Sequence, residues 1–155
     1  MPELAVGDPA PDFTLPTADG GKVTLSALRG HRVVIFFFPA AMTPGCTLEA
    51  SDFQSVSPDL TDAGYQVIGI SPDPVAKLAL FAEMENLTYP LASDVDRTVL
   101  GAYGAWGEKK LYGKVLEGVL RSTVVVDEDG LVALAQYNVK ATGHVGRLRR
   151  VLHIG

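Results

Sequence analysis

Arg32-Val33-Val34-Ile35-Phe36-Phe37-Phe38-Pro39-Ala40-Ala41-Met42-Thr43-Pro44-Gly45-Cys46-Thr47-Leu48-Glu49-Ala50 is the stretch around which the rest of the chain is arranged. A nearly unbroken apolar run from Arg32 to Phe38 marks a strand buried on both faces, and it stops at Pro39. Thr43 is a residue type that caps helices through its side-chain oxygen. Pro44 suits the first helical position and pushes Thr43 toward the extended geometry a cap requires. A helix is therefore predicted to open at Thr43 and run to about Ser57, with Leu48, Phe53 and Val56 sharing a face and Pro58 marking its end. Cys46, the only cysteine in the chain, then falls on the third helical position, where backbone N–H groups lack intrahelical partners. Unpaired amides and the helix dipole shift a thiol there toward the thiolate, the reactive form of cysteine. Cys46 is the candidate nucleophile.

Upstream, Phe13–Pro16 and Lys22–Leu25 flank the Asp19-Gly20-Gly21 turn signal and are predicted to form a short N-terminal β-hairpin, followed by one helical turn from Ser26 to Gly30. Downstream, Tyr65–Ser71 reads as the next buried strand and Val75–Glu85 as a helix with Leu78, Phe81 and Ala82 at helical spacing. Leu91–Ser93 is predicted as a short strand and Asp94–Tyr103 as a short helix. Gly104–Gly118 reads as a loop with Lys109-Lys110 at a solvated tip. Arg121–Val126 and Leu131–Tyr137 face each other across Asp127-Glu128-Asp129-Gly130, a hairpin signal. Gly143–Ile154 is predicted as a terminal helix with Arg147, Arg149 and Arg150 where cations suit the dipole. This order, βαβα and then a hairpin and a closing helix, describes an α/β protein with a mixed sheet and helices on both faces.

A chain of 155 residues with 47% hydrophobic and 20% charged residues has the make-up of one globular domain, expected to span 1–155. The formal net charge of -5 and pI near 5.1 argue against nucleic acid or an anionic membrane as the main partner. The N-terminus lacks the charged start and long apolar core of a secretory signal, and no apolar run reaches membrane-spanning length, so a cytoplasmic address is expected. One cysteine excludes an internal disulfide and a multi-cysteine metal site.

Pro39, Thr43 and Cys46 reproduce the peroxiredoxin signature P-x-x-x-T-x-x-C. Thr43-Pro44-Gly45-Cys46-Thr47 followed by Glu49-Ala50 resembles the bacterioferritin comigratory protein (PrxQ) branch of that family, within the AhpC/TSA superfamily. The resemblance extends to Ala10-Pro11-Asp12-Phe13, Gly69-Ile70-Ser71-Pro72-Asp73, Gly107-Glu108-Lys109-Lys110, Arg121-Ser122-Thr123 and Asn138-Val139-Lys140-Ala141-Thr142-Gly143-His144. It implies a thioredoxin-like fold and a peroxidase that reduces hydrogen peroxide and organic hydroperoxides through a sulfenic acid at Cys46. Thioredoxin or a low-molecular-weight thiol would recycle it, and no cofactor or metal is required.

Thiolate attack on a peroxide needs a stable anion and donors aimed at the charge that grows on the leaving oxygen. By this resemblance Thr43 offers its hydroxyl, Gly45 and Cys46 their backbone N–H groups, and Pro39 shields the sulfur from water. Arg121 is the family's active-site arginine and Glu49 holds it. Members of the branch often carry a resolving cysteine five residues past the first, and here Ser51 stands at that position, which makes this a one-cysteine enzyme. A monomer, or at most a weak dimer, is expected. The rival reading is a peroxide-responsive sensor or thioredoxin-like binding protein without steady-state turnover. A dithiol oxidoreductase lacks its C-x-x-C, since Thr43 occupies the first cysteine place. His31, His144 and His153 are assigned structural roles, and Tyr103, Trp106 and Tyr112 are read as clamps of a loop on the core.

Overall fold

A computed structural model describes residues 3–111 and 113–152. In chain order the elements are β1 (Thr14–Pro16), β2 (Lys22–Thr24), a 3-10 turn (Leu25–Leu28), β3 (Arg32–Phe37), α1 (Pro44–Asp62), β4 (Tyr65–Ser71), α2 (Val75–Glu85), β5 (Leu91–Ser93), α3 (Thr98–Ala102), β6 (Trp106–Leu111), β7 (Lys114–Val119), β8 (Ser122–Val126), β9 (Val132–Gln136) and α4 (His144–Val151). Five strands form one sheet in the order β5-β4-β3-β8-β9, with β1-β2 and β6-β7 as separate hairpins. β3 pairs in parallel with β4 and antiparallel with β8, so the sheet is mixed. Among the described residues, no helix is long and apolar enough to cross a membrane.

The apolar run predicted as a doubly buried strand occupies the middle of this sheet. Because side chains alternate along a strand, Val33, Ile35 and Phe37 face one core layer with Leu15, Leu25, Leu100 and Tyr103. Val34, Phe36 and Phe38 face the other, with Phe53 of α1, Phe81 of α2 and Leu148 of α4. Phe36 stacks on Phe53 with ring centroids 4.4 Å apart and meets Tyr89 edge-on at 5.7 Å. Gly69 makes room for it, since a Cβ there would lie 2.8 Å from the Phe36 ring. Burial of such a phenylalanine contributes about 1.5–3 kcal/mol, so these rings seat α1 firmly on β3.

Three expectations differ from the structure. Pro58 lies inside α1, which continues to Asp62. Proline removes one helical bond at a cost of about 3 kcal/mol, and the helix persists because Val56 and Leu60 on either side of it are buried in the α1 core layer. The segment predicted as a loop forms the β6-β7 hairpin, with Gly107 opposite Gly118. The missing side chain at Gly118 lets Lys109 lie across it, 3.0 Å from where a Cβ would stand, and donate from Nζ to the Val119 carbonyl at 3.3 Å. Lys109 and Lys110 are thus strand residues. The short helix after β5 is confined to Thr98–Ala102, because Asp94 accepts the N–H groups of Val99 and Leu100 and so fixes where it starts. The terminal helix is described from His144 to Val151; Ile154, His153 and Tyr112 lie outside the described residues.

Tyr103 is fully buried, its hydroxyl donating to the Pro11 carbonyl at 2.6 Å, while Trp106 stacks under the Arg97 guanidinium at 4.8 Å. Both act as clamps. The segment before and after Tyr103's partner crosses the molecule: Gly7 and Asp8 bond to Val132 at the start of β9, Pro9 bridges Leu131, and Thr17 bridges Ala92 of β5.

Candidate active site

β3 ends at Phe37, and Phe38 still donates to the Ile70 carbonyl of β4 at 3.0 Å. Pro39 and Ala40 follow, half-buried, and the chain turns into α1 through Ala41, Met42 and Thr43. Met42 takes a left-handed conformation, φ +64°, which costs a residue with a side chain about 1–2 kcal/mol. Pro44 is the first helical residue and Thr43 is extended at the cap position, as predicted, but the Thr43 side chain makes no cap hydrogen bond. Its hydroxyl donates instead to the Ala40 carbonyl at 2.7 Å. The turn at Met42 carries that carbonyl within reach, and the local bond wins over the cap.

Cys46 stands at the third helical position and is 1% exposed. The N–H groups of Gly45 and Cys46 precede the first helical bond, which runs from Thr47 to the Thr43 carbonyl at 2.9 Å. Arg121, immediately before β8, reaches across to this turn. Its Nη2 lies 3.4 Å from Cys46 Sγ and its Nη1 donates to Glu49 Oε1 at 2.6 Å. Cys46 and Glu49, three residues apart, share one helix face, so one planar fork contacts both. Gly45 permits the approach, since a Cβ there would stand 3.2 Å from Arg121 Nη2 and 3.8 Å from Ala141.

The Glu49 side chain is fully buried, and its second oxygen, Oε2, has no hydrogen-bond partner. Burial pushes its carboxyl up to about 7, and the attraction of Arg121 offsets only part of that rise. Burial also opposes the charge on Arg121, but Glu49 and Cys46 more than compensate, and its pKa lies above the ordinary arginine value. The site therefore holds a permanent cation beside the sulfur.

Of the residues singled out from sequence, Cys46, Arg121 and Glu49 are in direct contact, and Thr43 and Gly45 flank the sulfur along the chain. Pro39 is half-buried at the mouth of the same loop. Ser51 points elsewhere, its hydroxyl donating to Glu85 of α2 at 3.2 Å. The stretch Asn138–His144, which belongs to the family resemblance and whose His144 was assigned a structural role, was not placed at the site, yet it packs beside Arg121 from the other side. There, Val139 donates its N–H to the Arg121 carbonyl at 2.8 Å, and His144 exchanges a 2.7 Å hydrogen bond with Thr123, two residues past Arg121. Burial, then the charges of Arg147 and Arg121, bring His144 down to about 4, so it is neutral near pH 7. The signal was the stretch Asn138–His144 itself, whose two left-handed residues, Asn138 and Gly143, bend it back over the arginine.

Residues 6–135 match the AhpC/TSA family. The chain belongs to this family. A putative peroxiredoxin of Mycobacterium tuberculosis is 59% identical over 151 residues, 97% of this chain and 96% of that protein. Peroxiredoxin Bcp of Escherichia coli K12 is 42% identical over 144 residues, covering 93% and 92%. Among solved structures, peroxiredoxin Q of Xanthomonas campestris superposes with a TM-score of 0.86 at 35% identity, covering 91% of this chain and 90% of that one. The AhpC/TSA member described here is thus a peroxiredoxin of the Bcp/PrxQ branch with that branch's thioredoxin-like fold, as the sequence resemblance implied.

Proposed function

We propose that this peroxiredoxin reduces hydrogen peroxide and organic hydroperoxides at Cys46 and is returned to the thiol by thioredoxin or a small external thiol. One observation carries the reading: the Arg121 fork that contacts both Glu49 and the Cys46 sulfur. A cation at 3.4 Å stabilises negative charge on Sγ in a site where little water screens it. Sγ attacks one peroxide oxygen, the O–O bond breaks, and sulfur gives up two electrons to become the sulfenic acid. The other oxygen leaves as hydroxide or alkoxide and takes a proton to become water or alcohol. The Thr43 hydrogen is committed to Ala40, which leaves its oxygen lone pairs to accept the peroxide O–H. The N–H groups of Gly45 and Cys46 and the Arg121 fork are the donors for the departing oxygen. Pro39 walls off water on the loop side.

An external thiol then attacks the sulfenic sulfur, releasing water, and a second thiol frees Cys46 as a disulfide forms between the two. Alkyl peroxide reduction has been studied structurally for the Xanthomonas campestris bacterioferritin comigratory protein, which favours organic hydroperoxides as substrates here too. The same reading takes the enzyme as one cytoplasmic domain, monomeric or weakly dimeric. Steady-state peroxide consumption with thioredoxin or dithiothreitol, paired with intact mass after one equivalent of peroxide, tests it. The parent should gain one oxygen and turn over, and Cys46→Ser should do neither. Oxidation of Cys46 without turnover under any reductant would favour the sensor reading instead.

A further inference from the structure

The turn from Ala40 to Thr43 joins β3 to the helix that carries Cys46, and Met42 within it holds a left-handed backbone although the residue is 38% exposed and belongs to neither core layer. Packing of the Met42 side chain does not hold the turn in place, yet such a conformation persists only where its surroundings over-determine it. Two hydrogen bonds straddle Met42. On one side the Thr43 hydroxyl closes on the Ala40 carbonyl, a local and exposed bond. On the other, the Ala41 N–H donates to Asp73 Oδ2 at 2.7 Å in a buried bond that spans 32 positions of sequence.

Asp73 lies between β4 and α2 and is itself fixed from several directions. Ser71 Oγ donates to the same Oδ2 at 2.8 Å and accepts the Asp73 N–H at 3.1 Å. Lys77 Nζ stands 3.2 Å from Oδ1, and Ser93 Oγ donates to the Asp73 carbonyl at 2.6 Å. Ser71 and Ser93 are 0% and 3% exposed, and Asp73 is 8% exposed. An ionised carboxylate accepting a backbone N–H makes a bond about twice as strong as a neutral pair, and a preset acceptor of this kind selects one conformation of the chain it binds.

The geometry points to Asp73 as a positioning residue for the peroxide reaction: its carboxylate latches the Ala40–Thr43 turn in the form that presents the Thr43 oxygen and the first amides of α1 beside Cys46. Ser71 aims the latch. The inference rests on the peroxidase reading above and adds a residue from outside the signature.

Its test compares two reactions of the same sulfur. Single-turnover oxidation of Cys46 by hydrogen peroxide uses the orienting groups, whereas alkylation by iodoacetamide needs only the thiolate. Asp73→Ala is expected to lower the ratio of the two rate constants about tenfold or more, as small misplacements of orienting groups do. Asp73→Asn keeps an oxygen for the Ala41 N–H and should hold the ratio within about threefold of the parent. Lys77→Ala, which removes only the outer partner, should leave it unchanged. If Asp73→Ala does not fold, Ser71→Ala decides in its place, with a smaller fall in the same ratio expected. An unchanged ratio in whichever of these two variants folds, or an Asn variant as impaired as the Ala variant, overturns the latch. A parent enzyme that alkylates but does not react with peroxide overturns the peroxidase reading itself, which separates the two failures.

Discussion

The Arg121 guanidinium meets a carboxylate and a sulfur at once, through two nitrogens of one plane. An ammonium keeps the charge but offers a single point, so Arg121→Lys should lower the second-order rate constant for peroxide about 100-fold or more with an unchanged circular dichroism spectrum. Thr43→Val should lose rate in the same way, because valine fills the space without an acceptor. Stopped-flow oxidation of Cys46 checks both, and parental rates in the lysine variant would reduce Arg121 to a structural ion pair. Glu49 and His144 add a pH signature of opposite signs. Glu49 protonates near pH 7 in the fold against 4.5 ordinarily, so the folded chain binds more protons in that window and stability falls as pH rises through it. His144 stays neutral down to about 4 against 6.5 ordinarily, so its contribution is full above 6.5 and is lost as pH falls toward 4. Glu49→Gln removes only the first effect. Its urea midpoint should gain on the parent's steadily between pH 4.5 and 7, and a gap that ignores pH would count against the buried carboxyl. The meeting of Cys46, Arg121 and Glu49 was legible because Cys46 closes the P-x-x-x-T-x-x-C signature and the family resemblance points to the other two. The Thr43–Ala40 and Ala41–Asp73 bonds were not, since they depend on a backbone turn at Met42 that no local propensity announces.

On the proposed peroxidase reading, the continuity of α1 limits how an oxidised Cys46 can be bridged. Cys46 and Ser51 lie in one continuous helix, and five residues advance about 7.5 Å along it, beyond the roughly 7 Å Cα limit of a disulfide. Ser51→Cys should therefore form an intramolecular disulfide after peroxide treatment only with loss of helical signal from the first turns, and it should recycle better with thioredoxin. The parent should stop at the sulfenic acid and, in excess peroxide, gain a second oxygen. Intact mass after graded peroxide reads both, and a variant that gains oxygens without losing two hydrogens refutes the resolving role of position 51. The sequence pattern located every strand of the central sheet and placed the start of α1, because apolar runs and a proline at the first helical position are strong local signals. It ended α1 too early at Pro58 and missed the β6-β7 hairpin. In both cases packing outvoted the punctuation: Leu60 is buried beyond the proline, and Gly118 in the hairpin accommodates the Lys109 side chain rather than a bend.

For the molecule as a whole, the strand–helix alternation fixed the mixed sheet, and its centre fell on the most apolar run, as expected for a strand without a solvent face. What alternation does not encode is how the two rims of the sheet are treated. An outer strand offers unpaired amides and carbonyls to any extended chain that drifts past. Here one stretch of N-terminal chain supplies partners at both rims, through Gly7, Asp8 and Pro9 at the start of β9 and through Thr17 and Ala18 at β5. The protein has thus filled these positions with its own backbone, and a chain clipped beyond Pro9 would offer the start of β9 as a seed on which further copies could stack into fibrils.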